Sequence, residues 1–377
     1  MQRPNDLAKE EIRRLKPCIH GGEVWDIAAE MCKKVGDFID FSSSVNPLGP
    51  SKKALAAVRK GLKQLTYYPD SNSTALREVI ARRYDLDKRN VIVGNGSTEL
   101  IYLFAEVFLK PGEIALIPSP SFGEYESAVR KAAGVPKFIP LDSEFQVDAH
   151  AFKQAMHGAK TVYLCNPNNP TGMLMGHSSV LEIVETALAE GVLVFLDEDF
   201  IEFVDDESEH SLIGGLTRYQ NLFIIRTFTK FYGLTGLRVG FGVADASIVD
   251  VLAKIKMPWS VNSLGQVAAA AALSDEAHNS RTRKVVKNER KFMLWELAKM
   301  RSFMVYPADA NYVFLEVRGS GFSAAELRQG MLERGILIRD CSSFHGLNRF
   351  FVRVAIRTRS ENQKLLKAFQ AILNGGA

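Results

Sequence analysis

Apolar, β-branched runs that alternate with helix-like segments constrain the fold of this chain more than any other feature. The runs are apolar throughout, which indicates strands covered by helices on both faces. Strands separated by helices are typical of α/β proteins with a mainly parallel sheet. The predicted strands are 91–93, 114–118, 161–165, 192–197, 222–227 and 239–243.

Helical segments between these runs carry a broad apolar face. In one of them Leu100, Phe104 and Phe108 follow one another at intervals of four residues, as on the buried side of a helix. Ser97 is a residue type that favours the N-cap, and Pro111-Gly112 ends the pattern. We therefore predict a helix over 97–109.

Near residue 280 the apolar runs give way to a long charged segment, which indicates a second domain. A single core rarely grows beyond about 250–300 residues, and this chain has 377. We predict a large domain over 47–275 and a smaller α+β domain built from 1–46 and 276–377. Its later elements are predicted at 281–300, 312–317, 323–334, 336–340 and 350–357, and in a last helix that begins at Ser360 with Gln363 at the capping-box position.

Composition narrows the functional classes. Hydrophobic residues make up 46% of the chain and charged residues 24%, as in ordinary globular proteins. No apolar run approaches the ~20 residues of a membrane span, and no secretory signal is visible, so a cytoplasmic protein is expected. The net charge of +4 comes without a basic stripe, which argues against nucleic acid. The four cysteines form no CxxC pair, which argues against a disulfide framework or a metal site.

The segment VIVGNGSTEL (91–100) indicates a phosphate site. A strand leads into Gly94 and Gly96, and a helix begins near Ser97 and Thr98. Backbone N–H groups and the helix dipole at such a junction attract phosphate. Glycine-rich turns of this kind also occur as purely structural connections, so the segment needs support from the rest of the chain.

The segment CNPNNPTG (165–172) predicts a rigid loop directly after a strand. Ligands of open α/β sheets bind at this edge, and Asn169 can direct its amide toward a bound ring. A stiff turn without a ligand is also compatible with these residues.

Asp197 ends the next predicted strand, in VLVFLDEDFIEF. An unpaired carboxylate is costly at the end of a buried strand. A cationic ring nitrogen is a fitting partner, because the carboxylate would keep that ring protonated and electron-withdrawing. Taken alone, Asp197 is better explained as a helix N-cap.

The segment RTFTKFYGLTGLRVGF (226–241) carries the most specific signal. Lys230 follows a buried strand, Thr229 precedes it, and Arg238 comes eight residues later. A desolvated lysine beside a cation can lose its proton near neutral pH and attack an aldehyde. Thr229 and Arg238 can bind the phosphate of the same molecule. The order of the four segments favours a single site.

In that order the four segments resemble fold-type I enzymes of the class I/II aminotransferase superfamily, which depend on pyridoxal 5'-phosphate (PLP). The resemblance covers nearly the whole chain and implies a Schiff base between PLP and Lys230. It also implies a homodimer with shared active sites, Phe122 stacked on the pyridine ring, and Tyr68 reaching the phosphate of the neighbouring subunit's cofactor. By residue type alone, Phe122 fits a core position and Tyr68 a turn.

One departure from the superfamily pattern lies beside Asp197. Many relatives read Asp-Glu-Ala-Tyr, whereas this chain has Phe200 in the last position. The missing hydroxyl implies one hydrogen bond fewer to the 3'-oxygen of the cofactor, which leaves Asn169 as its partner.

Two subfamilies share the C-terminal arginines. The resemblance implies that Arg353, in FVRVAIRT, grips the substrate carboxylate. In histidinol-phosphate aminotransferases the Arg339 region binds a substrate phosphate. The threonine-phosphate decarboxylases of cobalamin biosynthesis share more, including HGG, FSSSVNPLGP and LIRDCSSFHGL. There His20 would bind the phosphate with Arg339, and Asn46 would lie near the substrate. By residue type alone, His20 fits an exposed surface and Asn46 a turn.

The resemblance therefore implies a lyase that converts L-threonine O-3-phosphate to (R)-1-amino-2-propanol O-2-phosphate and carbon dioxide. Lys230 is the expected donor of the proton that replaces the carboxylate. The alternative is a histidinol-phosphate aminotransferase that uses 2-oxoglutarate.

Overall fold

The computed structural model describes residues 3–13 and 15–375. In chain order the strands β1 to β13 are Ile39–Asp40, Val91–Gly94, Ile114–Ser119, Val135–Pro140, Ala159–Cys165, Leu193–Asp197, Leu222–Thr227, Gly240–Ala244, Met304–Val305, Tyr312–Glu316, Ile336–Leu337, Arg339–Asp340 and Phe351–Ala355. The α-helices α1 to α14 are Glu10–Arg13, Val24–Glu30, Lys52–Gly61, Thr74–Tyr84, Gly96–Phe108, Gly123–Lys131, Ala149–Ala155, His177–Ala189, Glu207–His210, Ala246–Ile255, Ser263–Leu273, Glu276–Ala298, Ala324–Glu333 and Arg359–Gly375.

The central sheet runs in the order β2-β8-β7-β6-β5-β3-β4. Its neighbouring strands are parallel except where β8 pairs antiparallel with β2 and β7. The predicted α/β class is confirmed, and six predicted strands agree with the structure to within two residues at each end. The prediction missed β4, an edge strand that contains Pro136 and Pro140, because proline removes a ladder donor and indicates a loop.

Both faces of the sheet are buried. In β7, Phe223 and Ile225 pack into one hydrophobic core, whereas Ile224 between them packs into the other. Side chains alternate across a strand, so an apolar residue at every position requires a helical layer on each side. The predicted continuous apolar runs have this physical cause.

The two ends of the chain meet in a second layer. An antiparallel sheet of order β12-β13-β10-β9 forms from the C-terminal part, and β1 pairs in parallel with β11. The division into two domains stays a prediction, but the pairing of Ile39 with Ile336 ties the N-terminal segment to the C-terminal one. In the range that the structure describes, no helix combines the length and apolarity needed to cross a bilayer.

Three helix starts were wrong in the sequence-based prediction. Helix α5 begins at Gly96, so Ser97 lies inside its first turn and does not cap it. Helix α12 begins at Glu276, before the predicted residue 281. Helix α14 begins at Arg359, and the cap involves Thr358, whose hydroxyl and N–H both donate to Glu361. Each start depends on which polar side chain reaches the free N–H groups, and spacing alone does not determine this.

Candidate active site

A cavity of about 520 Å³ lies where the carboxyl ends of the parallel strands face the C-terminal layer. This is the edge at which open α/β sheets bind ligands. Several residues predicted from distant parts of the sequence meet in its wall, namely His20, Phe122, Asn169, Arg339 and Arg353.

The glycine-rich turn packs against Arg238. Gly96 adopts φ +74°, and a Cβ atom there would lie 2.6 Å from Nη2 of Arg238. A Cβ at Gly240 would lie 2.4 Å from the Ser97 nitrogen. Gly96 therefore lets the guanidinium group lie against the first turn of α5, which includes Thr98, and Gly240 lets β8 approach the backbone of that turn. The N–H groups of this turn lack partners within the helix, so the turn and Arg238 together form an anion cradle.

Asn169 and Arg353 are in direct contact. Asn169 Oδ1 accepts a short hydrogen bond from Nη1 of Arg353, and Nη2 of that arginine donates to the Ser42 carbonyl at 3.2 Å. Arg353 Nε is buried and has no hydrogen-bond partner among the residues described. Since a buried N–H group without an acceptor is costly, this donor is suited to an anionic ligand.

Asp197 is buried at the end of β6. It accepts hydrogen bonds from the Tyr125 hydroxyl at 2.6 Å and from the Asp199 N–H at 2.8 Å. Burial, followed by the neighbouring charge of Asp199, raises the pKa of Asp197 well above its ordinary value. These two hydrogen-bond donors are neutral, so a cationic ligand group would favour the ionised carboxylate.

Lys230 lies in the loop that follows β7. Burial, followed by the positive charge of Arg353, lowers the pKa of Lys230 to about 8. Its backbone carbonyl accepts from the Asn46 N–H at 3.0 Å, and the Asn46 amide donates to the Phe231 carbonyl at 2.7 Å. Thr229 shares a 2.8 Å hydroxyl contact with Thr227. In this structure Asn46 fixes the loop that carries the lysine.

Arg339 holds the N-terminal segment against the cavity. Its guanidinium group donates to the carbonyls of Ile19 at 2.5 Å and His20 at 3.2 Å, and to the Ser343 hydroxyl at 3.0 Å. The imidazole of His20 lies 2.7 Å from Glu124 Oε1. Although burial alone would raise it, the pKa of Glu124 is lowered by hydrogen bonds from His20 and Tyr102.

Tyr68 stands apart from the cavity of its own chain. Its side chain is exposed, and its ring lies 4.7 Å from that of Trp259, measured between centroids. Leu65 and Tyr67, close to Tyr68 in the sequence, and Met257, close to Trp259, are also exposed. A cluster of exposed large apolar side chains is typical of an interaction surface.

Sequence reasoning missed several residues of the site. Glu124 and Tyr125 come two and three residues after Phe122, but their partners, His20 and Asp197, are 104 and 72 residues away. Asp199 belongs to the predicted segment around Asp197, but the sequence indicates no role for it. The spacing of Phe122, Glu124 and Tyr125 at the start of a helix was the available signal, and it could not identify their partners.

The family profile of the class I and II aminotransferases matches residues 36–369. This match covers most of the sequence, and the chain belongs to this family of PLP-dependent enzymes. The predicted superfamily, fold and cofactor are thereby confirmed.

Similar proteins of this family carry two different names. A protein of Caldanaerobacter subterraneus subsp. tengcongensis, provisionally named threonine-phosphate decarboxylase, is 34% identical over 371 residues, which are 97% of each chain. The histidinol-phosphate aminotransferase of Clostridium acetobutylicum is 32% identical, with a TM-score of 0.84 over 89% of this chain and 99% of its own. The L-threonine-O-3-phosphate decarboxylase of Porphyromonas gingivalis is 28% identical, with a TM-score of 0.79 over the same shares. Further similar curated proteins, from Moorella thermoacetica, Methanothermobacter thermautotrophicus and Symbiobacterium thermophilum, are named histidinol-phosphate aminotransferases.

Proposed function

We propose that this chain is a PLP-dependent decarboxylase of L-threonine O-3-phosphate that serves cobalamin biosynthesis. The observation that carries the proposal is the joint placement of His20, Arg339 and Arg353 in the wall of one cavity. Threonine phosphate has two anionic groups, a carboxylate and a phosphate. Arg353 would hold the carboxylate, and Arg339 with His20 would hold the phosphate.

The residues of the site fit the cofactor. The cradle of Gly96, Ser97, Thr98 and Arg238 suits its phosphate. Gly96 is essential to this cradle, because a Cβ there would collide with the guanidinium group. The hydroxyl of Thr229 would add a donor to the same phosphate. Phe122, half-buried in the cavity wall, would stack on the ring, whose pyridine nitrogen would face Asp197 and whose 3'-oxygen would face Asn169.

When bound, the cofactor draws electrons from the bond that is broken at the α-carbon of the substrate. Arg353 would determine which bond this is, because it anchors the carboxylate and so fixes how the α-carbon is oriented. Burial, followed by the charge of Arg353, lowers the pKa of Lys230 to about 8, so its Nζ can take up and release a proton near neutral pH. Its Nζ would deliver that proton to the α-carbon after carbon dioxide has left.

The alternative is a histidinol-phosphate aminotransferase. It is favoured by the names of several similar curated proteins, and its phosphorylated substrate would also use Arg339. Its second substrate, 2-oxoglutarate, carries two carboxylates that would suit the same two arginines. Lys230 would then take the proton from the α-carbon of histidinol phosphate, a substrate that has no carboxylate to lose.

An assay of carbon dioxide separates the two activities. The purified protein, saturated with PLP, is incubated with L-threonine phosphate, with L-serine phosphate, or with histidinol phosphate plus 2-oxoglutarate. We expect carbon dioxide from threonine phosphate without any amino acceptor, and a lower rate with serine phosphate, since one methyl group is worth about 10–200-fold in a fitted pocket. Glutamate formed from the third mixture, without carbon dioxide from the first, would contradict the decarboxylase.

We further propose a homodimer in which Tyr68 reaches the neighbouring cofactor phosphate. Tyr68 lies on an exposed surface with Trp259 and Met257, outside the cavity of its own chain. Enclosing this surface would remove large apolar side chains from water. A stable dimer on a sizing column, with weaker PLP binding in Tyr68→Phe, is expected; a monomer that retains full activity would contradict the shared site.

Glu124 is predicted to position His20 for the substrate phosphate. Replacing Glu124 by Gln removes a charge-assisted hydrogen bond, worth about 1.5–3 kcal/mol, and should raise KM for threonine phosphate at least about tenfold. The value of kcat should change little. Steady-state kinetics check this split.

A matched control for this variant lies on the same helix. Glu126 lines the cavity and accepts a hydrogen bond from Arg130, at 2.7 Å, and not from His20. Glu126→Gln therefore removes the same charge without releasing His20, and its KM should not rise. Equal increases of KM in the two variants would show that the lost negative charge, and not the release of His20, weakens substrate binding.

A further inference from the structure

Asp199 is an additional acidic side chain at the anion cradle, and the positive charge of Lys230 acts on it. Its Oδ2 accepts a hydrogen bond from the Ser97 hydroxyl at 2.6 Å, in the first turn of α5. Its backbone N–H donates to Asp197 Oδ1. Two independent hydrogen bonds thus fix both the backbone and the side chain of Asp199 at the edge of the cradle.

The second oxygen of this carboxyl group has no partner. Asp199 Oδ1 is buried and makes no hydrogen bond with any residue that the structure describes. A buried carboxylate oxygen without a donor is costly. The cost is removed if Oδ1 carries a proton and if a ligand in the cradle accepts it.

The charges that face Asp199 come from every element around it. Lys230 and Arg238 favour its negative charge, whereas Glu202 and the neighbouring carboxyl group of Asp197 oppose it. Burial is the largest influence and raises the pKa of Asp199 to about 7. The group therefore changes its charge within the range in which enzymes of this kind work.

We propose that Asp199 binds the cofactor as a neutral carboxylic acid, with Oδ1 as a hydrogen-bond donor to the phosphorylated ligand in the cradle. An ionised Asp199 would instead place a negative charge beside a phosphate that carries about −1.5 to −2 charges at pH 7. Cofactor binding then takes up a proton wherever Asp199 is ionised in the free protein. This inference rests on the proposed cradle and is independent of the reaction.

The sign of the pH dependence follows from the raised pKa. Below pH 7 Asp199 is already protonated, and the ligand binds without further proton uptake. As pH rises through 7 the carboxyl ionises, and each ligand must bring back one proton, so affinity falls by at most tenfold per pH unit. The ionisation of the ligand phosphate also changes over this range, in all variants alike.

The test measures the dissociation constant of pyridoxamine 5'-phosphate for the protein freed of cofactor. This analogue lacks the aldehyde, so the bond to Lys230 does not contribute. Fluorescence titrations from pH 6 to 9 are compared for the wild type, Asp199→Asn and Asp199→Ala. Asn keeps an acceptor for Ser97 and a donor on its other atom, but it cannot ionise.

We expect the wild type to lose about tenfold in affinity, relative to Asp199→Asn, between pH 6 and pH 8. Asp199→Ala should show the same pH profile as Asp199→Asn, but with weaker binding at pH 6. Parallel profiles of wild type and Asp199→Asn would overturn the proposal. So would a loss of affinity in Asp199→Asn at every pH, because the amide keeps a donor in place of the neutral carboxylic acid.

A second variant guards against a folding defect. Ser97→Ala removes the hydrogen bond to Oδ2 and leaves the carboxyl group in place, so a proton-linked affinity should persist with a shifted midpoint. Loss of the linkage in Ser97→Ala, with unchanged thermal unfolding, would also overturn the proposal. None of these titrations contains an amino-acid substrate, so failure of the proposed decarboxylation leaves them intact.

Discussion

Lys230→Ala will lose the visible absorbance of lysine-bound PLP and nearly all turnover. Lys230 is the lysine whose pKa is lowered, to about 8, by burial and by Arg353 within the candidate site. Its removal eliminates both the covalent attachment of the cofactor and the proton donor, and loss of acid–base catalysis alone costs about 10²–10⁴-fold in rate. Absorbance spectra and carbon dioxide release measure the two losses separately.

The control for this variant is Lys254→Ala, at an exposed position of helix α10. This variant removes one lysine from the surface of α10 without touching the cavity, so it should keep both the spectrum and the rate. An absorbance band that persists in Lys230→Ala would show that another amine holds the cofactor.

Asp197→Asn should lower kcat by about 10²–10³-fold, the range for loss of one preorganised electrostatic contact in an active site. Burial raises the pKa of this carboxyl group, so it needs a cationic partner to stay ionised. The amide cannot supply the negative charge that would keep a pyridine nitrogen protonated. Single-turnover kinetics with threonine phosphate measure the effect on the chemical step.

Tyr125→Phe separates charge from hydrogen bonding at this position. The phenol donates to Asp197 Oδ2 at 2.6 Å, and its removal leaves the carboxylate and its charge in place. We expect a loss of only about tenfold, as for one hydrogen bond to a charged group. Equal losses in the two variants would indicate that Asp197 acts through its geometry and not through its charge.

Much of the fold could be predicted because its pattern is local. Ile224 and its neighbours are all apolar because the sheet is covered on both sides. A continuous apolar run in the sequence therefore indicates a covered strand. The edge strand β4 escaped because one side of an edge strand is free, so Pro136 is tolerated there and the local pattern is that of a loop.

The candidate site was predictable where a motif carries the chemistry within one segment, as around Lys230 and Gly96. It was not predictable where the chemistry depends on a partner from elsewhere in the chain. Glu124 and Asp199 are ordinary acidic residues in the sequence. Only the folded chain brings one of them to His20 and the other to Ser97, and pKa values depend on those neighbours and on burial.

The two halves of the cavity wall are encoded very far apart. The central sheet is complete within residues 91–244, and so are the proposed cradle and Lys230. By contrast, His20 is held in place by Arg339, which lies 319 residues further along the chain. At about 5–20 residues per second, a ribosome needs tens of seconds to cover that distance. A nascent chain therefore has the residues for the cofactor well before it has all of those for the substrate phosphate. Strand β1 has no partner strand until β11 has been synthesised.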